Sequence, residues 1–203
     1  MSIGQRQIVI LASASRARLR LLEAAGLAVD VDPPGLDEAP LKAQARHDRA
    51  TAGACAARLA DTKALAVAQR RLHGLVIGAD QMLDCDGVWL DKPREPEDAR
   101  QQLARLRGRT HQLHTAVAVA MNGRVLWHHL ARAQLTMRLF SDAFLGDYVA
   151  AMGEQLLETV GGYHLEGLGV QLFERVDGDY FAILGLPLLP LLGFLRAEGV
   201  LSS

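Results

Sequence analysis

Cysteine, lysine and long apolar runs are what this chain of 203 residues has little of. Cys55 and Cys85 are its only thiols, too few for a disulfide framework or a four-thiolate zinc site. No apolar stretch reaches the roughly 20 residues of a membrane span. The longest candidate, 183–195, is shorter and contains Pro187 and Pro190. The opening residues hold Arg6 and only the short apolar run Ile8 to Leu11, which is not a signal-peptide pattern. A formal net charge of -1 gives no general pull toward nucleic acid or anionic lipid. Walker loop, nucleophile elbow and metalloprotease motif are all missing. No repeat and no low-complexity linker divides the chain. These absences lead us to expect a cytoplasmic protein with neither a nucleic-acid nor a membrane partner. One domain over residues 1–203 can bury a substantial core at this length and at 50% hydrophobic composition.

Lysine scarcity is informative in a different way. Nineteen arginines accompany only Lys42, Lys63 and Lys92. The arginine excess reads as base composition of the source genome, and it makes each lysine stand out. An ammonium is a compact point charge that suits phosphate oxygens without demanding bidentate geometry. Lys42 follows Pro40 in a polar segment and is expected at the surface.

The pattern along the chain alternates strands and helices. Ile8 to Leu11 reads as a strand, Arg18 to Ala25 as a helix closed by Gly26, and Val29 to Val31 as a second strand ending at Pro33-Pro34-Gly35. Ala50 to Gln69 is alanine-rich and proline-free, one long helix carrying Lys63. Leu75 to Ala79 is an apolar strand that stops at Asp80, and Asp86-Gly87 turns it toward a partner at Val88 to Leu90. Acids in the first turn mark a helix at Glu97 to Leu106. Asn122-Gly123 is the strongest hairpin signal, flanked by Val117 to Ala120 and Val125 to His128. A third antiparallel strand is expected at Ala133 to Leu139, a helix at Asp142 to Met152, and a strand at Leu168 to Val176. Asp177-Gly178-Asp179 then turns the chain into Tyr180 to Leu184, and Leu188 to Glu198 is the last helix. Mixed strands and helices with hairpins in the middle favour an α/β fold with a mixed sheet.

Asp80 is the sharpest chemical candidate, because a carboxylate ending a buried apolar strand needs a partner or a task. The following turn would bring Lys92 back to the same sheet edge. Glu38, after the Pro-Pro-Gly break, would pair with Asp80 as two hard oxygen ligands suited to Mg²⁺. Ser13 and Ser15 precede a helix whose first turn holds Arg16 and Arg18, which is either an anion site or ordinary capping. His111-x-x-His114 is a poor metal pair, since a spacing of three in a strand points to opposite faces. His128 and His129 diverge likewise. The glycine-dense segment 161–169 would let backbone approach a ligand closely around Glu166.

Taken in order, these motifs resemble the Maf family of nucleotide pyrophosphatases. Leu11-Ala12-Ser13-Ala14-Ser15, Asp37-Glu38, Leu59-Ala60-Asp61-Thr62-Lys63-Ala64, Ile77-Gly78-Ala79-Asp80, Asp91-Lys92-Pro93, Gly162 to Gly169 and Gly185-Leu186-Pro187-Leu188 fall in the family's sequence from roughly Ile8 to Gly199. The resemblance implies an elongated, two-lobed Maf/ITPase-like α/β fold with a twisted mixed sheet and a central cleft. It implies hydrolysis of a nucleoside triphosphate to monophosphate and pyrophosphate, with a divalent metal cation (Mg²⁺ or Mn²⁺) and a homodimeric assembly. By position, Asp80 is implied as base or water-orienting carboxylate near the metal, with Glu38 as the other metal ligand. Ser13, Arg18, Lys63 and Lys92 are implied around the triphosphate. Arg16 and Ala17 depart from the family's Pro-Arg, so one phosphate contact is absent or replaced. Gln81 and Glu166 stand where thymidine- and uridine-type members carry Thr and Gln, and resemble the branch associated with 7-methyl-GTP. A regulator of division or septation that binds nucleotide with little turnover is the alternative that the family also offers.

Overall fold

The parity of the third strand organises half of this molecule. The computed structural model describes residues 7–202, and Arg6 lies outside them. The strands are β1 (Val9–Leu11), β2 (Val29–Val31), β3 (Leu75–Cys85), β4 (Val88–Leu90), β5 (Thr110–Met121), β6 (Arg124–Met137) and β7 (Phe173–Asp177). They form one mixed sheet in the order β2-β1-β3-β5-β6-β7, with β4 paired to β3 off that path. β1 runs parallel to both β2 and β3, whereas β3–β4 and β6–β7 are antiparallel. The helices are α1 (Arg16–Ala24), α2 (Ala39–His47), α3 (Ala52–Ala68), α4 (Pro96–Leu106), α5 (Asp142–Met152), α6 (Tyr180–Ile183) and α7 (Leu188–Ala197). The α/β expectation with a mixed sheet holds. No helix among the described residues is long and apolar enough to cross a membrane.

Two compact units divide the chain. The first comprises residues up to Asp80, Thr115–Ala131 and the chain from Tyr180 onward. Its core joins Val9, Leu11, Leu75, Ile77, Val117 and Val119 of the sheet to Leu22 of α1 and Leu191 and Leu195 of α7. Successive side chains of a strand face opposite ways. Leu75, Ile77 and Ala79 therefore serve this core, and Gly78 and Asp80 face α3. A Cβ on Gly78 would stand 2.3 Å from the Ala60 carbonyl oxygen and 2.6 Å from the Ala64 nitrogen. Such distances are inside contact range, so α3 rests directly on the β3 backbone. Ala56, Ala60 and Ala64 keep that helix face flat enough to do so, all fully buried or nearly so.

The second unit holds Gln81–His114 and Arg132–Asp179. Leu103 and Leu106 of α4, Leu113, Leu135, Leu145, Leu156 and Leu172 are buried in it. His111 is buried there as well, its Nε2 2.8 Å from the Tyr163 hydroxyl and its ring against Phe173. Burial alone pulls its pKa down from 6.5 to about 4.

Several elements differ from the sequence reading. β3 does not stop at Asp80 but continues to Cys85 with Met82, Leu83 and Cys85 buried. Its pairing passes from β1, whose last residue Leu11 lies opposite Ile77, to β4, whose last residue Leu90 lies opposite Leu83. Asp80 is consequently interior to a central strand, not at a sheet edge. β5 and β6 are longer than the apolar runs around Asn122-Gly123, since backbone pairing carries polar residues along with it. The third strand expected from Ala133 is the far end of β6. Asn122 and Gly123 take φ 50° and 74°, the left-handed pair a two-residue hairpin turn requires. Residues 168–172, expected to begin a strand, form a 3-10 turn where Gly169 lies against the His164 backbone, and Tyr180–Ile183 is one helical turn.

Two stability predictions follow from this packing. Gly78→Ala forces α3 off β3 and should cost about 2–3 kcal/mol in urea unfolding, the upper range for overpacking against backbone. A neutral, buried His111 stabilises fully above pH 6.5, and this contribution is lost as pH falls toward its folded value of about 4. Between pH 7.5 and 4.5 the wild type should lose about 2–3 kcal/mol more than His111→Gln. Equal losses would show that His111 is not the group responsible.

Candidate functional site

The first βα turn supplies the outer part of the site. Ala12 N–H donates to the Ile77 carbonyl at 2.8 Å, tying the end of β1 to β3. Ser15 caps α1 by accepting from Arg18 N–H, so the capping reading is right for Ser15. Ser13 differs: it is 7% exposed, and its hydroxyl accepts from Ser15 N–H and from Arg18 Nη1. Arg18 also donates from Nη1 to the Ala79 carbonyl at 2.9 Å and from Nε to Gly185 at 2.8 Å. It thus joins the Ser13 turn, the residue before Asp80 and the Gly185 loop. Burial lowers its pKa, and the charges of Asp80 and Glu38 oppose that shift.

Asp37 and Glu38 have separate tasks. Asp37 Oδ1 accepts from Ala39 N–H and closes the turn before α2. The Glu38 side chain makes no capping bond. Its Oε1 lies 2.6 Å from Lys63 Nζ and its Oε2 3.3 Å from Lys42 Nζ. Lys63 also reaches Asp80 Oδ1 at 2.5 Å. Lys63 and Asp80 are 8% and 5% exposed, so their contact is out of water, whereas Glu38 joins the same ammonium from a partly exposed position. Lys42, expected at the surface, is partly buried; α2 turns it onto Glu38 because the two are one helical turn apart. That helix was not legible beside Pro40, although proline in a first turn is compatible with one.

The charge balance is specific. An ammonium has three donors; two on Lys63 hold Asp80 and Glu38, and the third has no partner among the described residues. Burial pushes the Glu38 carboxyl upward, but Lys63 and then Lys42 outweigh it and leave its pKa below the ordinary value. Asp80 Oδ2 is buried and accepts no hydrogen bond among the described residues. Such an orphaned oxygen beside a second carboxylate fits Mg²⁺ or Mn²⁺, which need only one or two protein carboxylates when phosphates and water complete the shell. No cluster of three or more His, Cys, Asp or Glu suited to a metal occurs among the described residues. Glu38 and Asp80, both on Lys63, are the carboxylates here that could hold such an ion.

The remaining candidates lie in the second unit. Gln81 follows Asp80 on β3 and is half-buried. Lys92 is exposed after β4 and lines a hollow of about 480 Å³ with Asp91, Arg94 and Glu95. Glu166 Oε1 lies 3.5 Å from His164 Nδ1, while His164 Nε2 meets the Gln155 carbonyl at 3.0 Å. The glycines of this segment serve chain packing: Gly161 lies on Tyr163 and Leu83, and Gly169 on His164. His111 and His114 sit on β5 with only His111 buried, so packing accounts for His111 as expected.

The Maf family profile, described as Maf-like protein, matches residues 8–198. The chain belongs to the Maf family. A curated relative from Rhodospirillum rubrum is 50% identical over 195 residues, covering 96% of each chain, and is named nucleoside triphosphate pyrophosphatase. Relatives of the same name from Paramagnetospirillum magneticum and Caulobacter vibrioides are 50% and 49% identical, covering 95% and 96% of this chain and 99% and 97% of theirs. The family match embraces both units, and with them every motif named above.

Removing one partner from a buried ion pair leaves the other uncompensated. Lys63→Met should destabilise the protein by about 3 kcal/mol, and adding Asp80→Asn should recover part of that loss. A double-mutant cycle by chemical unfolding measures the coupling; strictly additive losses would mean the pair is not coupled.

Proposed function

We propose that this chain is a cytoplasmic nucleoside triphosphate pyrophosphatase, releasing a nucleoside monophosphate and pyrophosphate, with both units serving one catalytic domain. The observation that carries this reading is the buried Lys63 ammonium bridging Glu38 and Asp80 within a Maf-family chain. Names of the relatives support the reaction class, and they specify no base.

In this mechanism a water oxygen bonds to the α-phosphorus while the bond from that phosphorus to the α,β-bridging oxygen breaks. Pyrophosphate departs with the bond's electron pair. Asp80 Oδ2, the orphaned oxygen, orients the water and takes its proton. Lys63 holds Asp80 in place and turns its remaining donor toward the phosphates. Arg18 keeps Ser13 and Ala79 in register, so that the Ser13 turn can face the triphosphate beside Asp80. Lys92 adds positive charge for the outer phosphates. A divalent cation held by Glu38 and Asp80 would neutralise phosphate charge and polarise the water. The site's contribution is otherwise position and electrostatics.

For the base, we read Gln81 and Glu166 as the selecting residues. A carboxylate accepts hydrogen bonds only, which suits the donor edge of guanine or a cationic 7-methylguanine better than uracil or thymine. A homodimer is the assembly that the family resemblance implies, and sedimentation measures it.

Purified protein should release pyrophosphate from at least one of 7-methyl-GTP, dTTP, UTP and CTP with Mg²⁺, Mn²⁺ or Co²⁺. Asp80→Asn should lower that rate by about 10²–10⁴-fold, the range for a positioned proton acceptor, with its fold intact by circular dichroism. Complete inertness of the wild type would overturn the enzyme reading. Melting shifts with nucleotide but no turnover would favour a nucleotide-binding regulator of division.

A further inference from the structure

Lys42 lies outside every motif that suggested the site, yet it holds the only Glu38 oxygen that Lys63 does not. Its side chain is 18% exposed. Asp37 closes the start of α2, and Lys42 N–H donates to the Glu38 carbonyl at 3.0 Å, so backbone and side chain are both registered on Glu38. An exposed pair one helical turn apart is weak, worth a few tenths of a kcal/mol. Here the carboxylate is already pinned by a buried ammonium, and little further freedom is lost when Lys42 joins. One oxygen to each lysine fixes the carboxylate plane. Without Lys42, both Glu38 oxygens are free to turn onto Lys63 and draw its third donor away from an anion.

We infer that Lys42 is a positioning residue that sets Glu38 across Lys63 and tunes the site toward a metal-bound triphosphate instead of a bare metal ion. The inference rests on the pyrophosphatase reading above for its substrate. Its signature is a pair of opposite signs. Removing the Lys42 charge leaves the Glu38 and Asp80 carboxylates less compensated, which favours a free divalent cation. The same removal takes a positive charge and a poised Lys63 from the triphosphate, which disfavours nucleotide. A lysine that only stabilised α2 would move neither affinity.

The test compares wild type, Lys42→Met and Lys42→Arg as full chains. Mn²⁺ binding to nucleotide-free protein is read by electron paramagnetic resonance, KM and kcat from pyrophosphate release, and integrity from thermal melting. Lys42→Met should bind Mn²⁺ about three- to tenfold tighter, the scale of one nearby charge in a partly solvated site. Its KM should rise by about fivefold with kcat changed less than about twofold, the mark of lost uniform binding. Lys42→Arg should restore both affinities. Unchanged Mn²⁺ affinity, or a fall in melting temperature alone, would overturn the inference, as would a loss confined to kcat. If the wild type turned over no nucleotide, the function would fall by itself, and the Mn²⁺ comparison would still decide the role of Lys42.

Discussion

Everything at the candidate site depends on how closely α3 lies on β3. A strand and a helix normally keep their backbones apart by the depth of the side chains between them. At Gly78 there is no such side chain, and Ala60 and Ala64 add only methyl groups. The Lys63 side chain, on the same helical face, therefore needs only modest reach to meet Asp80, two residues beyond Gly78 on the same strand face. Both residues end up buried. The ion pair is short because the backbones are close, and the backbones are close because neither element presents bulk.

Burial changes what these charges can do. In water a lysine between two carboxylates is an ordinary, weak arrangement. Shielded from solvent, Lys63 and Asp80 have few ways to satisfy themselves except through one another, the partly exposed Glu38 or a ligand. Arg18 extends the logic: its bonds to Ser13, Ala79 and Gly185 cross-link three segments that are distant in sequence and stabilise the βα turn near the carboxylates. It is a structural tie as much as a phosphate candidate. The arrangement leaves one Lys63 donor and one Asp80 oxygen without a partner among the described residues.

Much of this architecture was legible from local pattern. The alanine-rich stretch gave α3, Pro96 with its acids gave α4, and Asn122-Gly123 gave the β5–β6 turn, because each rests on short-range chemistry. Where the reading failed, long-range pairing had overruled local composition. β3 runs on past Asp80 since β4 supplies a new partner, and β5 carries His111 into the core since Tyr163 supplies a hydrogen bond. Neither partner is visible from the strand itself. The 3-10 turn at 168–172 has the same cause: Gly169 reads as strand until the His164 backbone occupies the space beside it.

The sequence alone determined which candidate residue types are present and the order in which they come, and through that order the family. Asp80 stood out because it ends an apolar run, Lys63 because lysine is rare here, and Glu38 as a carboxylate after a chain break, with the family resemblance setting the three together. The tertiary structure decided how they are wired. It set Lys63 as a bridge, spent Asp37 on a helix cap, left Asp80 Oδ2 without a partner among the described residues, and brought Lys42 onto Glu38. Hydrogen-bond partners are chosen by three-dimensional proximity, and a linear pattern encodes faces and spacing but not which oxygen meets which ammonium.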